Sequence, residues 1–254
     1  CYNMTTICMV LYFFFMENSK HVKTPRVNPV VRGISLLWYH IWKAIQKPRV
    51  NQLILEYVDD VPLLTLPEVL NAVIFRGGEF LAKTVKNHNC AELPVDKEVP
   101  LALDMGTGTG VGAIFACHRG YKVIGVDINP EAVRCARINV LINRLEEKID
   151  IRYGDLFDSV SDKRFDLILF NPPFFRGEPK NLFDLAWRST DVMERFAEGL
   201  PEMLTDNGKA LVLLSTDGDA PGMLDALSQN NLKASSVTER HFGNEIMTIY
   251  SVSR

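Results

Sequence analysis

From Val99 onward the chain alternates short apolar runs with segments of helical periodicity, the pattern of a parallel sheet covered on both faces. The apolar runs predict strands at 99–104, 122–127, 148–153, 165–170 and 209–215. Helical spacing predicts helices at about 111–119, 130–142 and 187–204, and another at about 221–229. Two closing β-rich runs, Leu232 to Thr238 and Glu245 to Val252, flank a turn around Gly243-Asn244 and read as an antiparallel hairpin. Residues before about 95 lack this alternation. There Leu37, Trp38, Ile41, Trp42 and Ile45 share one helix face, which either packs on its own domain or meets a partner. Leu63 to Val85 reads as a loop carrying Pro67, just after Pro62, before Phe75-Arg-Gly-Gly-Glu79 opens a short helix through Val85. The expected class is α/β: a mostly parallel seven-stranded sheet (96–254) preceded by a small, mainly helical accessory segment (1–95).

Composition narrows the class without naming a chemistry. With 254 residues, 47% hydrophobic and 23% charged, the chain has the make-up of a globular protein, which argues against long disorder. The net charge of -3 gives no overall attraction to polyanions, yet Lys20 to Val50 holds Lys20, Lys23, Arg26, Arg32, Lys43, Lys47 and Arg49 with no acid. Such a run is either a solvated helix face or a surface for RNA, a ribosome or an acidic protein. Five cysteines stand at 1, 8, 90, 117 and 135 with neither C-x-x-C pairing nor metal-ligand spacing. This predicts reduced thiols in the cytoplasm, no metal, and Cys117 and Cys135 as small core residues. The apolar run Ile7 to Met16 is too short to span a bilayer, and neither a basic start nor a cleavage site marks a signal peptide. The opening Cys1 reads as a fragment or chosen cut, with Met4 and Met16 as natural starts, so residues 1–16 stay outside the functional reading.

Chemistry concentrates at four predicted strand ends. Leu101-Ala-Leu-Asp104-Met-Gly106-Thr107-Gly108-Thr-Gly110-Val-Gly112 is an apolar strand, an acid and a glycine-rich turn opening a helix. Nicotinamide and flavin enzymes share that turn, but their fingerprint needs its third glycine at 111, which is Val111. Asp104 just before the first glycine suits a cationic, amine-bearing ligand such as S-adenosyl-L-methionine and would repel a pyrophosphate. Asp127, ending Val123-Ile-Gly-Val-Asp127-Ile128, can accept both hydroxyls of a ribose; otherwise it caps the helix that begins at Asn129-Pro130. Asp155 in Gly154-Asp155-Leu156-Phe157 can accept the exocyclic amine of an adenine while Leu156 packs on the ring. After the strand Phe165 to Phe170 comes Asn171-Pro172-Pro173-Phe174-Phe175. Its two prolines stiffen the turn, leaving the Asn171 carboxamide oxygen and the Pro172 carbonyl as outward acceptors for an NH₂ group, with Phe174 a flat face for a planar amide or base.

These segments resemble the motifs of class I S-adenosylmethionine-dependent methyltransferases with a Rossmann-like sheet, and Asn171-Pro-Pro-Phe174 resembles the signature of their amino-methylating branch. The likeness is greatest to the HemK-type enzymes, which modify a glutamine side chain in translation release factors. Ala186-Trp187 with Asp191-Val-Met-Glu-Arg-Phe196 resembles the region after the loop in the archaeal and eukaryotic HemK-like branch, and Phe75 to Glu79 stands where that family closes its site. Phe174 departs from the family's usual Tyr, the glycine-rich insertion is shortened to Arg188-Ser-Thr190, and Gly177 near the loop also resembles ribosomal RNA guanine-N2 methyltransferases. The resemblance implies a catalytic set of Asn171, Pro172 and Phe174. It implies a cofactor set of Asp104, Gly106, Thr107, Gly108, Gly110, Asp127, Ile128, Asp155, Leu156 and Asn171. The acceptor it implies is a release-factor-like protein, with an RNA base (guanine N2 or adenine N6) or a small metabolite as alternatives, and the segment before residue 95 offers a partner surface. A nicotinamide-dependent oxidoreductase would need the third glycine and a later catalytic Tyr-Lys or His. A non-catalytic module would tolerate loss of Asn171 or Asp127, and both are present.

Overall fold

The computed structural model describes residues 52–87 and 99–254, and the basic Lys20–Val50 run, the tryptophan stripe, and Cys1, Cys8 and Cys90 lie outside them. The described chain begins with β1 (Ile54–Val58), β2 (Val61–Thr65) and α1 (Gly77–Asn87). Then come β3 (Leu101–Met105), α2 (Val111–His118), β4 (Lys122–Asp127), α3 (Pro130–Ile142), β5 (Ile149–Tyr153) and β6 (Phe165–Phe170). The two-residue strands β7 (Phe175–Arg176) and β8 (Arg188–Ser189) precede α4 (Val192–Met203), β9 (Leu204–Ser215), α5 (Ala220–Gln229), β10 (Lys233–His241) and β11 (Ile246–Ser253).

Seven strands form one sheet in the order β10-β11-β9-β6-β3-β4-β5. Its five inner and far strands pair in parallel, and β11 returns antiparallel to both β9 and β10. The expected strands, hairpin and class are therefore all present. Side-chain alternation sends Ala102, Leu167, Leu169, Leu211, Leu213 and Ile249 to a core shared with α1, α2 and α3. It sends Leu103, Ile168, Phe170, Val212, Leu214 and Val252 to the opposite core under α4 and α5, where Phe196, Leu200 and Met223 fill the space. β6 is buried at every position because both faces are covered. Cys117 and Cys135 are buried free thiols in α2 and α3.

Two expectations give way. Leu63 to Thr65, at the start of the stretch read as loop, belong to a strand (Val61–Thr65) that pairs antiparallel with β1, so residues 52–87 add a hairpin to what was expected to be mainly helical. A two-stranded ribbon is marginal alone, and this one borrows partners. Asn139 of α3 receives the Leu64 amide at 2.7 Å and donates to the Leu64 carbonyl at 2.7 Å, standing in for a third strand. Lys83 and Lys86 of α1 pair with Asp59 in the hairpin turn. The helix expected at 187–204 starts only at Val192. Upstream, the Trp187 and Ser189 carbonyls accept the Phe175 and Gly177 amides, which builds β7–β8, and the Ser189 hydroxyl accepts the Val192 amide to start α4. Among the described residues no helix is long and apolar enough to cross a membrane, and no group of three or more His, Cys, Asp or Glu is placed to hold a metal.

Candidate active site

The carboxyl ends of β3, β4, β5 and β6 open into one cleft of about 240 Å³, and α1 and the β7–β8 ribbon wall its far side. Asp104, Gly106, Thr107, Gly108, Asp127, Ile128, Asp155, Leu156, Asn171, Pro172 and Phe174 all line it. Gly110, expected among them, does not. It sits behind the turn at φ 82, where a Cβ would come within 3.2 Å of Ala136, and its contribution is the left-handed bend that starts α2.

The glycine-rich turn is held from below. Gly106 and Gly108 take φ of 64 and 55, and a Cβ on Gly106 would meet nothing within 4 Å, so a ligand can lie directly on the backbone there. Asp127 fixes the turn: one carboxylate oxygen accepts the Gly108 amide at 2.8 Å and the other the Asn129 amide at 2.9 Å. Capping of α3 falls to Asn129, whose side chain accepts the Glu131 amide, so the helix-cap role weighed for Asp127 is taken by its neighbour. A carboxylate has about four acceptor sites, which leaves Asp127 able to receive two hydroxyls as well. Burial pushes its carboxyl up while the backbone donors pull it down. Asp104 is buried more deeply. Its carboxylate accepts the Thr107 hydroxyl at 2.6 Å and the Ala113 amide at 2.8 Å, capping α2 in place of a side chain that Gly110 lacks. Burial raises Asp104 to about 7.

At the third strand end Asp155 lines the cleft but is already paired: Arg195 of α4 reaches its Oδ2 at 2.7 Å. Leu156, at φ 46, both lines the cleft and packs with the core beneath it. The fourth strand end carries the sharpest chemical signal. The Asn171 Oδ1 is buried and accepts no hydrogen bond among the described residues, an arrangement that costs roughly 1–3 kcal/mol unless something else donates to it. The carboxamide is pressed from behind by Gly77 of α1, where a Cβ would stand 3.2 Å from Asn171 Nδ2. Phe174 is set by its carbonyl, which accepts the Asp219 amide at 3.0 Å.

Sequence reasoning missed Arg195 as a cleft residue, because nothing local shows that α4 leans over β5. It also missed how Phe75 and Trp187 meet, edge to face at 4.8 Å, although both stand in segments singled out above. Arg176 was not anticipated either. Its guanidinium holds Asp219 at 2.7 Å and both oxygens of Glu194 at 2.6 and 2.7 Å, tying the loop after Phe174 to the starts of α4 and α5. Those two acids hold the guanidinium firmly charged, and it in turn lowers theirs.

Sheet order and a glycine-floored cleft across four adjacent strand ends define a class I methyltransferase scaffold. The chain belongs to the methyltransferase small domain family, whose sequence model matches residues 71–242. Among curated relatives, the ribosomal protein uL3 glutamine methyltransferase of Bradyrhizobium diazoefficiens is 34% identical over 169 residues, 60% of this chain and 50% of that protein. The tRNA1(Val) (adenine(37)-N6)-methyltransferase of Porphyromonas gingivalis is 42% identical over 126 residues, 45% of this chain and 49% of that one. The chain thus spans about half the length of these two relatives. The T. thermophilus 16S rRNA N2 G1207 methyltransferase, solved with AdoMet and guanosine, shares the fold at a TM-score of 0.59, with 17% identity over 80% of this chain and 50% of that one.

Proposed function

We propose that this chain uses S-adenosylmethionine to methylate the side-chain nitrogen of a protein glutamine. The single observation that carries the reading is the buried, partnerless Asn171 Oδ1 at the end of β6, in the same cleft as the Asp127-braced glycine turn. Gly106 and Gly108 would bear the cofactor on bare backbone, Asp127 would take its ribose hydroxyls, Asp104 would face its amino group, and Ile128 and Leu156 would pack on its base. When bound, the cofactor supplies a methyl group on a sulfonium, already activated and leaving as a neutral thioether. What remains for the protein is alignment. The Asn171 Oδ1 and the Pro172 carbonyl accept the two N–H groups of the target amide, which aims the nitrogen along the transfer line, and Phe174 supports the plane of the amide. The nitrogen sheds one proton to solvent at the open mouth of the cleft as the new C–N bond forms, while Phe75, Trp187 and Gly77 shield the two acceptors on the other side and keep them strong. Held alignment of this kind is worth several kcal/mol, about 7–11 at its limit.

The Bradyrhizobium relative's name supports glutamine as acceptor, and the Porphyromonas relative's name supports the second reading, an adenine N6 in RNA, whose NH₂ and flat ring suit the same two acceptors and Phe174. Residues before about 95 serve the acceptor or a partner protein in this reading, the protein is cytoplasmic, and no metal takes part. A methyl-transfer assay with labelled cofactor against fractionated cell protein, RNA and metabolites tests it. Label in protein that is recovered as methylglutamine, and lost with Asn171→Ala, supports the reading; label confined to RNA or metabolites overturns it.

A further inference from the structure

Asp155 follows β5 and lines the cofactor half of the cleft together with Arg195 of α4, 40 residues further along the chain. The two side chains meet: Arg195 Nη2 donates to Asp155 Oδ2 at 2.7 Å. Asp155 Oδ1 has no hydrogen-bond partner among the described residues. A carboxylate offers about four acceptor sites, so the arginine occupies one edge and leaves the other open to a donor in the cleft.

The pair spans a rigid seam. Phe157, just beyond Asp155, stacks on Phe196, the residue after Arg195, with ring centroids 5.6 Å apart and planes 24° from parallel. Phe196 is fully buried and packs on Phe170 as well, at 4.2 Å. At Gly199 a Cβ would lie 2.7 Å from the Phe157 ring, so a glycine is what lets α4 come this close. Around the guanidinium, Asp191 stands 3.9 Å from Nη1 and Asp158 adds to the negative field, while Glu194 on the same turn is taken by Arg176. Packed backbone thus fixes where the Arg195 side chain starts, and its guanidinium fixes which way the Asp155 carboxylate turns. We propose that Arg195 is a positioning residue for the cofactor's adenine: it holds one Asp155 oxygen so that the other meets the exocyclic amine. A carboxylate held in line makes a charge-assisted hydrogen bond to that amine, whereas one free to swing loses part of the gain in being ordered. Arginine suits the task because its planar fork grips in a fixed direction, which a lysine ammonium does not.

This inference rests on S-adenosylmethionine as the cofactor, and the test separates the two. The probes are S-adenosylhomocysteine and its analogue with hydrogen in place of the purine amine, their binding measured by calorimetry. The wild-type protein should bind the amine-bearing ligand at least tenfold tighter. Arg195→Ala should lower that ratio to about threefold, wholly through weaker S-adenosylhomocysteine binding, with the affinity for the analogue unchanged. Arg195→Lys, which keeps the charge without the fork, should recover part of the ratio. Arg195→Ala added to Asp155→Ala should change nothing further, the mark of a residue that acts through another. Equal weakening of both ligands by Arg195→Ala would make the arginine a strut of α4 and overturn the inference. Tighter S-adenosylhomocysteine binding by that variant overturns it too, because the arginine would then be competing with the amine for Asp155. Equal affinity of the wild-type protein for the two ligands overturns the role of Arg195 and leaves the cofactor reading standing. Binding of neither overturns both.

Discussion

The two halves of the cleft are built by different means. The cofactor half is backbone: two left-handed glycines with a third behind the turn, four strand ends, and carboxylates at 104 and 127 whose hydrogen bonds come from main-chain amides and one nearby hydroxyl. The acceptor half is side chain: Phe75 against Trp187, the Asn171 carboxamide against Gly77, and a two-residue ribbon held by one guanidinium. Backbone turns seated on the buried centre of a sheet have little freedom to change shape. A surface made of aromatic side chains on a strapped loop can be re-cut by single substitutions while the sheet stays intact. Such a division lets one scaffold keep its cofactor while its acceptor varies.

Asn171→Ala should break the acceptor half most. It deletes the partnerless acceptor and leaves the strand end and glycine turn in place, so kcat should fall about a hundredfold or more while cofactor affinity changes by less than about threefold. Single-turnover kinetics with calorimetry on the same protein checks both numbers; equal losses in the two would erase the distinction between the halves. Asp127→Ala should do the reverse. It removes the partner of the Gly108 amide together with the proposed ribose contact, and should weaken S-adenosylhomocysteine binding at least tenfold, about 1.4 kcal/mol, with kcat at saturating cofactor nearly kept.

Arg176→Gln sharpens the comparison at smaller amplitude. The arginine is about one-third exposed, and exposed ion pairs contribute about 0.2–1 kcal/mol each. Losing the strap should therefore raise the acceptor KM about fivefold through a looser ribbon, with cofactor affinity unmoved. Steady-state kinetics at saturating cofactor measures it. An unchanged KM would mean that the ribbon is held by its own hydrogen bonds.

How far each half could be read in the sequence follows from the same difference. Sheet, strand ends and glycine turn rest on local rules, apolar runs bounded by Gly, Asp and Asn-Pro, and all appear within a few residues of where the pattern put them. The acceptor half depends on contacts between distant segments. Arg195 reaches Asp155 across 40 residues and Arg176 reaches Asp219 across 43, and no periodicity encodes either. The hairpin at 54–65 was hidden because Pro62 argues against a central strand, yet β2 is an edge whose missing partner is the Asn139 side chain. Residues 187–191 follow helical spacing, but their carbonyls are taken by the Phe175 and Gly177 amides, and tertiary pairing overrode propensity. Gly110 joins its neighbours through the motif that the resemblance carries, and a motif does not show the side of a turn that faces a ligand.

Confined to the cofactor half is a pH effect at Asp104. In the ligand-free protein burial lifts this carboxyl to about 7, with the Thr107 hydroxyl and the Ala113 amide pulling it down and the charge of Asp127 pushing it up. Its folded value lies above the unfolded one near 4, so the folded state holds the extra proton between those limits. Stability from this group is therefore fully present below about pH 4 and is lost as pH rises through about 7. A cationic amino group placed against Asp104 prefers the ionised form. S-adenosylhomocysteine affinity should then rise with pH, by up to about tenfold between pH 6 and 8, and binding near pH 7 should release a proton. Calorimetry in two buffers of different ionisation enthalpy counts that proton. Asp104→Asn should flatten the affinity profile and abolish the release, while Asp127, titrating in the same turn, keeps whatever slope is its own. A wild-type profile that is already flat would place the cofactor's amino group away from Asp104 and leave that carboxylate only its cap on α2.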